Sequence, residues 1–229
     1  MIISLSSNIE NEFIRSYFGS WIDQINLIMD DGKKVNRDEK KENWQKELSL
    51  KYPGWSWAGS GSYRWVLSPD DSHVVKFAQS GYMNSSGIKL NKMESERQLE
   101  FEGLFPRVFF HHPNWEWIVV ENVKPAGIND LIEYFSISKN GAFGFSKLLS
   151  YHISVASGNA DRAERLKREF FGSKLEFKED YEKLKSNIDF RRMANIAEKL
   201  NLWDFDLGAG NLGINRDGKL VILDSSFPV

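Results

Sequence analysis

The sequence predicts an α+β chain of two parts: a sheet with one long helix, then a mainly helical part, with a helical extension in front. Three observations predict it. Residues Asn8 to Met29 repeat apolar side chains at steps of three and four, the period of a buried helix face. From Trp55 the texture changes to short apolar runs bounded by Gly, Ser, Pro and Asp, the pattern of strands and hairpins. Beyond Lys124-Pro125-Ala126-Gly127 helical periodicity returns, and two short apolar runs follow around Asn215-Arg216-Asp217-Gly218. The expected divisions are residues 1–54 for the extension, 55–123 for the sheet lobe and 124–229 for the helical lobe.

In the first helix Ile9, Phe13, Tyr17, Trp21, Ile25 and Ile28 mark the apolar face, and Gly32-Lys33-Lys34 breaks it. Asn36-Arg37-Asp38-Glu39 reads as the capped start of a second helix, running through Trp44 and Leu48 to Tyr52-Pro53-Gly54. Its basic residues are interleaved with acidic ones, so they read as a solvated face. Trp57 to Ser62 reads as a Gly/Ser turn, Tyr63 to Leu67 as a strand and His73 to Ala78 as its hairpin partner. Asn84 to Gly103 reads as a helix with Leu90, Glu94, Arg97, Phe101 and Leu104 along one stripe. Pro106 to His111 and Trp117 to Glu121 read as two more strands. Lys124 to Gly127 reads as a hinge, Ile128 to Phe135 as a short helix and Ser138 to Gly144 as a loop. Phe145 to Ala156, Ala160 to Phe171 and Phe177 to Leu200 read as helical, and Leu212 to Asn215 and Leu220 to Leu223 as short strands.

Composition narrows the function classes. Hydrophobic residues are 41% and charged residues 27% of 229, an ordinary globular balance. A net charge of -2 gives no bulk attraction to nucleic acid. The absence of Cys excludes disulfides, Cys-ligated zinc and thiol nucleophiles. No apolar run approaches the ~18 residues of a membrane span. Met1 to Asn8 lacks the basic start of a cleaved leader. A cytoplasmic protein with neither membrane nor nucleic-acid partners is expected.

Four separated pieces carry chemistry. Gly59-Ser60-Gly61-Ser62, followed by Val66, lets backbone N–H groups approach a phosphate closely; alone it also reads as hairpin turn chemistry. Lys76 lies in the apolar strand Val74 to Ala78, where it needs an anionic partner or an edge from which to reach water. Glu94 is turned inward by helical phase, while Glu96, Glu100 and Glu102 read as solvated. Asp206 and Asn211 stand five apart, and Asp224 follows 13 residues after Asn211 at the end of an apolar strand. One carboxylate there can accept the proton of an attacking hydroxyl, while an amide oxygen and a second carboxylate suit Mg²⁺. The other reading of that piece is a loop Asp, a capping Asn and a strand-end Asp with unrelated roles.

In this order the pieces resemble the protein-kinase-like superfamily, over about Trp55 to Phe227. The chain more closely resembles the serine/threonine protein kinase domain of T7-like bacteriophages, on Trp44, Gly59 to Val66, Asp206 to Asn211 and Asp224-Ser225-Ser226-Phe227. Asp206-Leu207 with Gly210-Asn211 is also similar to the D-L-H-P-G-N loop of aminoglycoside phosphotransferases. The resemblance implies a bilobal kinase-like fold, ATP and Mg²⁺, and transfer of the γ-phosphate to Ser or Thr of host bacterial proteins. It implies Asp206 as catalytic base, with Lys76 and Glu94 positioning phosphates. Gly59, Ser60, Gly61, Ser62 and Val66 would cover the nucleotide; Val120, Glu121 and Val123 would surround adenine; Asn211 and Asp224 would hold metal.

The departures from that pattern are specific. Arg64 stands at the third glycine, Asp204-Phe205 at the His-Arg before the base, and Asp224-Ser225-Ser226 at D-F-G. With Val229 as the last residue, control by an activation loop and large peptide-docking helices are not expected. Two alternatives stay open: a pseudokinase that binds a host protein, and a small-molecule phosphotransferase.

Overall fold

The computed structural model describes residues 3–4, 8–34, 41–60, 63–79, 84–171, 175–200 and 209–223. Contacts group the chain into two compact units, Met1–Asn122 and Val123–Val229. The α+β class and the two-lobed organisation expected from the sequence are both observed.

The first unit holds strands β1 (Ile3–Ser4), β2 (Ser56–Ser60), β3 (Arg64–Ser68), β4 (His73–Ala78), β5 (Val108–His111) and β6 (Trp117–Glu121). They form one sheet in the order β1-β5-β6-β4-β3-β2, parallel between β1 and β5 and antiparallel elsewhere. Its helices are α1 (Asn8–Lys34), α2 (Lys41–Lys51) and α3 (Asn84–Glu100).

Strand alternation sorts the sheet residues onto two faces. Leu67, Val75, Phe77, Phe110, Trp117 and Val119 share one core with Ile25, Ile28, Leu48, Tyr52 and Trp55. The helices of the extension and the sheet are therefore sealed by the same apolar contacts. Burying one such aliphatic or aromatic side chain contributes roughly 1.5–3 kcal/mol. Two indole N–H groups find partners from α1: Trp55 donates to Gln24 Oε1 at 2.6 Å and Trp117 to Asn26 Oδ1 at 3.2 Å. The other face carries Arg64, Val66, Val74, Lys76, Ile118 and Val120, paired across strands as Val66 with Lys76, Lys76 with Ile118 and Val74 with Val120.

Three expectations are corrected in this unit. Gly32 does not end α1, which continues to Lys34. Its missing side chain is a packing feature, since a Cβ there would lie 2.0 Å from the Trp65 ring. Trp57 to Ser60 is strand rather than turn, with a bulge between Trp57 and Gly59. The inward face of α3 is polar: Asn91, Glu94, Ser95, Arg97 and Gln98 are buried, whereas Leu90 is half-buried. Charged groups on the strands make that polarity favourable.

The second unit holds β7 (Lys124–Pro125), α4 (Ile128–Phe135), α5 (Lys139–Phe143), α6 (Phe145–Ala156), α7 (Ala160–Leu166), α8 (Leu175–Ser186), α9 (Ile188–Lys199), β8 (Leu212–Ile214) and β9 (Leu220–Ile222). The strands form an antiparallel sheet in the order β7-β8-β9. In the helical core the Phe145 ring lies 5.2 Å from Phe135 and 5.7 Å, edge on, from Phe190. Tyr134 ties three elements together. Its hydroxyl donates to Asp189 Oδ2 at 2.7 Å and accepts from Leu220 N at 3.3 Å.

Local hydrogen bonds explain the corrections here. Lys124–Pro125, read as part of a hinge, pairs with β8 within the second unit. Residues 138–144 contain α5, because Ser138 Oγ accepts from Gly141 N and donates to the buried Asp180 at 2.6 Å. The single helical region expected from Phe177 to Leu200 is two helices, split where the Asn187 side chain accepts from Asp189 N and Phe190 N. A π-helical turn, Lys167–Phe171, follows α7. Among the described residues no helix is long and apolar enough to cross a membrane.

Candidate functional site

The first unit gathers a buried ionic cluster on the α3 face of the sheet. Lys76 projects from β4 and its Nζ donates to Glu94 Oε1 at 2.5 Å. Arg64 projects from the neighbouring strand β3 and its Nη1 donates to Glu94 Oε2 at 2.6 Å. Glu94 is 1% exposed, and the Lys76 and Arg64 side chains are 11% and 10% exposed. Burial pushes the Glu94 carboxyl up, but the Lys76 and Arg64 charges and hydrogen bonds prevail and hold it below its ordinary value. The carboxylate is thus kept ionised away from water.

Two residues of α3 make that approach feasible. A Cβ at Gly87 would lie 2.6 Å from Tyr63 O and 2.8 Å from Ala78 Cα, so only glycine lets the helix come this near the strands. Asn91, three residues before Glu94, bridges several groups. Its Nδ2 donates to Trp115 O at 2.8 Å and its Oδ1 lies 3.4 Å from Arg64 Nη1.

Helical phase turned Glu94 inward, and that is its orientation. Arg64 is the residue that motif comparison misses, because it registers there only as a lost glycine. The signal was present in the alternation of β3, which puts Arg64 and Val66 on the Lys76 face.

Beside the ions lies an apolar floor. Val74, Val108, Ile118 and Val120 pack together, with Val66 and Trp115 against them. Val66, Lys76, Glu94 and Val120 are therefore brought to one face of one sheet. Gly59 pairs with Val66 and Ser60 with Trp65 along β2. Gly61 and Ser62 lie outside the described residues. The Glu121 N–H is committed to the sheet, donating to Arg107 O at 2.8 Å. Val123 belongs to the second unit, where its Cγ1 would be 2.6 Å from a Cβ at Gly213.

In the second unit Asn211 closes a 3₁₀ turn, Ala209–Asn211, that leads into β8. Its main-chain oxygen accepts from Leu223 N at 2.8 Å, so the residue before Asp224 in sequence is pinned beside Asn211. Asp206 and Asp224 lie outside the described residues, and among those described no three acidic, His or Cys side chains gather for a metal. An amide oxygen such as that of Asn211 is of the ligand type that Mg²⁺ takes.

No protein-family model matches the chain, and no curated protein matches it. Among solved structures it is similar to the ternary complex of streptomycin, ATP and APH(2")-IIa, at 15% identity and a TM-score of 0.34, over 84% of this chain and 71% of that one.

Proposed function

We propose that the chain is an ATP-dependent phosphotransferase of reduced protein-kinase type that passes the γ-phosphate to Ser or Thr hydroxyls of proteins. The observation that carries this reading is the buried Lys76–Glu94 ion pair between β4 and α3. A lysine fixed on a carboxylate beside an apolar floor suits the phosphates and base of a nucleotide, the role that a strand Lys and helix Glu share in kinases. Val66 and Val120 supply the floor, and Gly59 and Ser60 the start of the covering loop.

Asp206 is the proposed base for the acceptor hydroxyl, and Asn211 with Asp224 would hold Mg²⁺. The metal, when bound, neutralises charge on the phosphate oxygens. The setting implied is the cytoplasm of a phage-infected bacterium, with host proteins as acceptors.

The Gly210-Asn211 ending of the loop supports a second reading, with a small molecule as acceptor. Incubation with γ-labelled Mg-ATP separates these readings. Label on Ser or Thr of lysate proteins supports the first. Label confined to small hydroxyl compounds supports the second. Nucleotide binding with no transfer to either acceptor class leaves a binding module.

A further inference from the structure

We propose that Arg64 is a positioning residue of the phosphate site, anchoring Glu94 from β3 so that Lys76 stays aimed when it takes up a phosphate oxygen. This rests on the phosphotransferase reading.

The geometry divides one carboxylate between two strands. Glu94 Oε1 accepts from Lys76 and Oε2 from Arg64, and the strands that carry these cations are neighbours in register. An ammonium has three N–H donors, so Lys76 can hold Glu94 and a phosphate oxygen together. Sharing weakens its grip on the carboxylate. A buried carboxylate gripped by lysine alone would then drift or take up a proton, because burial disfavours its charge. Arg64 removes that weakness. Its guanidinium presents planar donors on a pre-organised fork that matches a carboxylate.

The contact is buried on both sides, unlike solvated pairs, which contribute little. Asn91 adds a second tie from the same helix, touching Arg64, Lys76 O and Trp115 O. Helix α3 is thus fixed over the sheet by groups within the first unit itself. In kinases the position of this helix is commonly set by a phosphorylated activation segment. With Arg64 in place, the Lys76–Glu94 pair needs no such input.

The test measures binding of ATP, ADP and adenosine, with Mg²⁺, to the full chain and to R64M and R64K. Loss of one charge-assisted hydrogen bond predicts that R64M binds ATP and ADP roughly 10–100-fold more weakly. Adenosine affinity stays unchanged, because the ligand groups assigned to Lys76 are phosphates, which adenosine lacks, and R64K recovers most of the loss. A merely structural defect lowers all three together. That result overturns the proposal while leaving the phosphotransferase reading intact, as does R64M binding ATP like wild type. Wild type that binds none of the three overturns the phosphotransferase reading and the role of Arg64 with it. Should R64M fail to fold, R64Q, which keeps a donor and drops the charge, replaces it with the same expectations.

Discussion

Replacing Glu94 by Gln removes one negative charge and almost no volume, so it isolates the electrostatics of the cluster. In the wild type the carboxylate is 1% exposed and faces Lys76 at 2.5 Å and Arg64 at 2.6 Å. Glutamine leaves both cations buried without that counter-charge. Removing one partner of a buried ion pair costs about 3–5 kcal/mol. The retained amide oxygen still accepts a hydrogen bond, so about 3 kcal/mol is expected at neutral pH. That is a large share of the ~5–15 kcal/mol that stabilises a typical domain. With a urea slope of about 2 kcal/mol/M, the midpoint falls by about 1.5 M.

Tryptophan fluorescence is the natural probe, because every Trp except Trp203 lies in the first unit. The pH dependence adds a second reading. Folding lowers the Glu94 pKa, so its stabilisation is present in full above the ordinary value of 4.5 and is lost as pH falls through the depressed folded value. The gap between wild type and E94Q therefore closes in acid. A loss under about 1 kcal/mol at pH 7, the scale of a solvated pair, would refute the buried-cluster reasoning. So would a gap that stays constant through acid.

The remaining substitutions probe packing and capping. In G87A a methyl group meets Tyr63 O and Ala78 Cα, and overpacking of about 1–3 kcal/mol outweighs the ~1 kcal/mol gain in helix propensity. Thermal melts should show a lower Tm and nucleotide titrations a weaker affinity; a stabilised G87A would contradict the close approach of α3. G32A drives a methyl group into the Trp65 ring and is expected to cost about 1–3 kcal/mol. Its mark is an altered near-ultraviolet dichroism, and an unchanged spectrum would show the ring is not packed there. N187A removes the acceptor for Asp189 N and Phe190 N and should cost about 1 kcal/mol in chemical denaturation. Unaltered stability would mean the break between α8 and α9 is held by something else.

Legibility in the sequence followed the range of the interaction. Strands β4 and β6 were readable because apolar residues run between turn signals, and their bounds match those read from the sequence. Glu94 was readable from phase alone. The face covered by α1 was not, because Ile25 and Ile28 meet Val75 and Phe77 only through contacts across tens of residues. Gly32 illustrates the ambiguity of glycine: its local propensity says break, while its tertiary role is to admit Trp65. Asn187 carried an unread cap signal inside a long helical pattern. Arg64 was hidden because a motif comparison weighs what a position lacks, whereas the sheet register weighs which face it joins.

The most direct measurement is γ-phosphate transfer from labelled Mg-ATP to lysate proteins by wild type, Asp206→Asn and Lys76→Met. A phosphotransferase that uses Asp206 as base labels acceptors in the wild type and loses roughly 10²–10⁴-fold of that rate in D206N. K76M loses it too, through weaker nucleotide binding. Wild type that transfers nothing, or D206N that transfers as fast as wild type, would contradict the assignment.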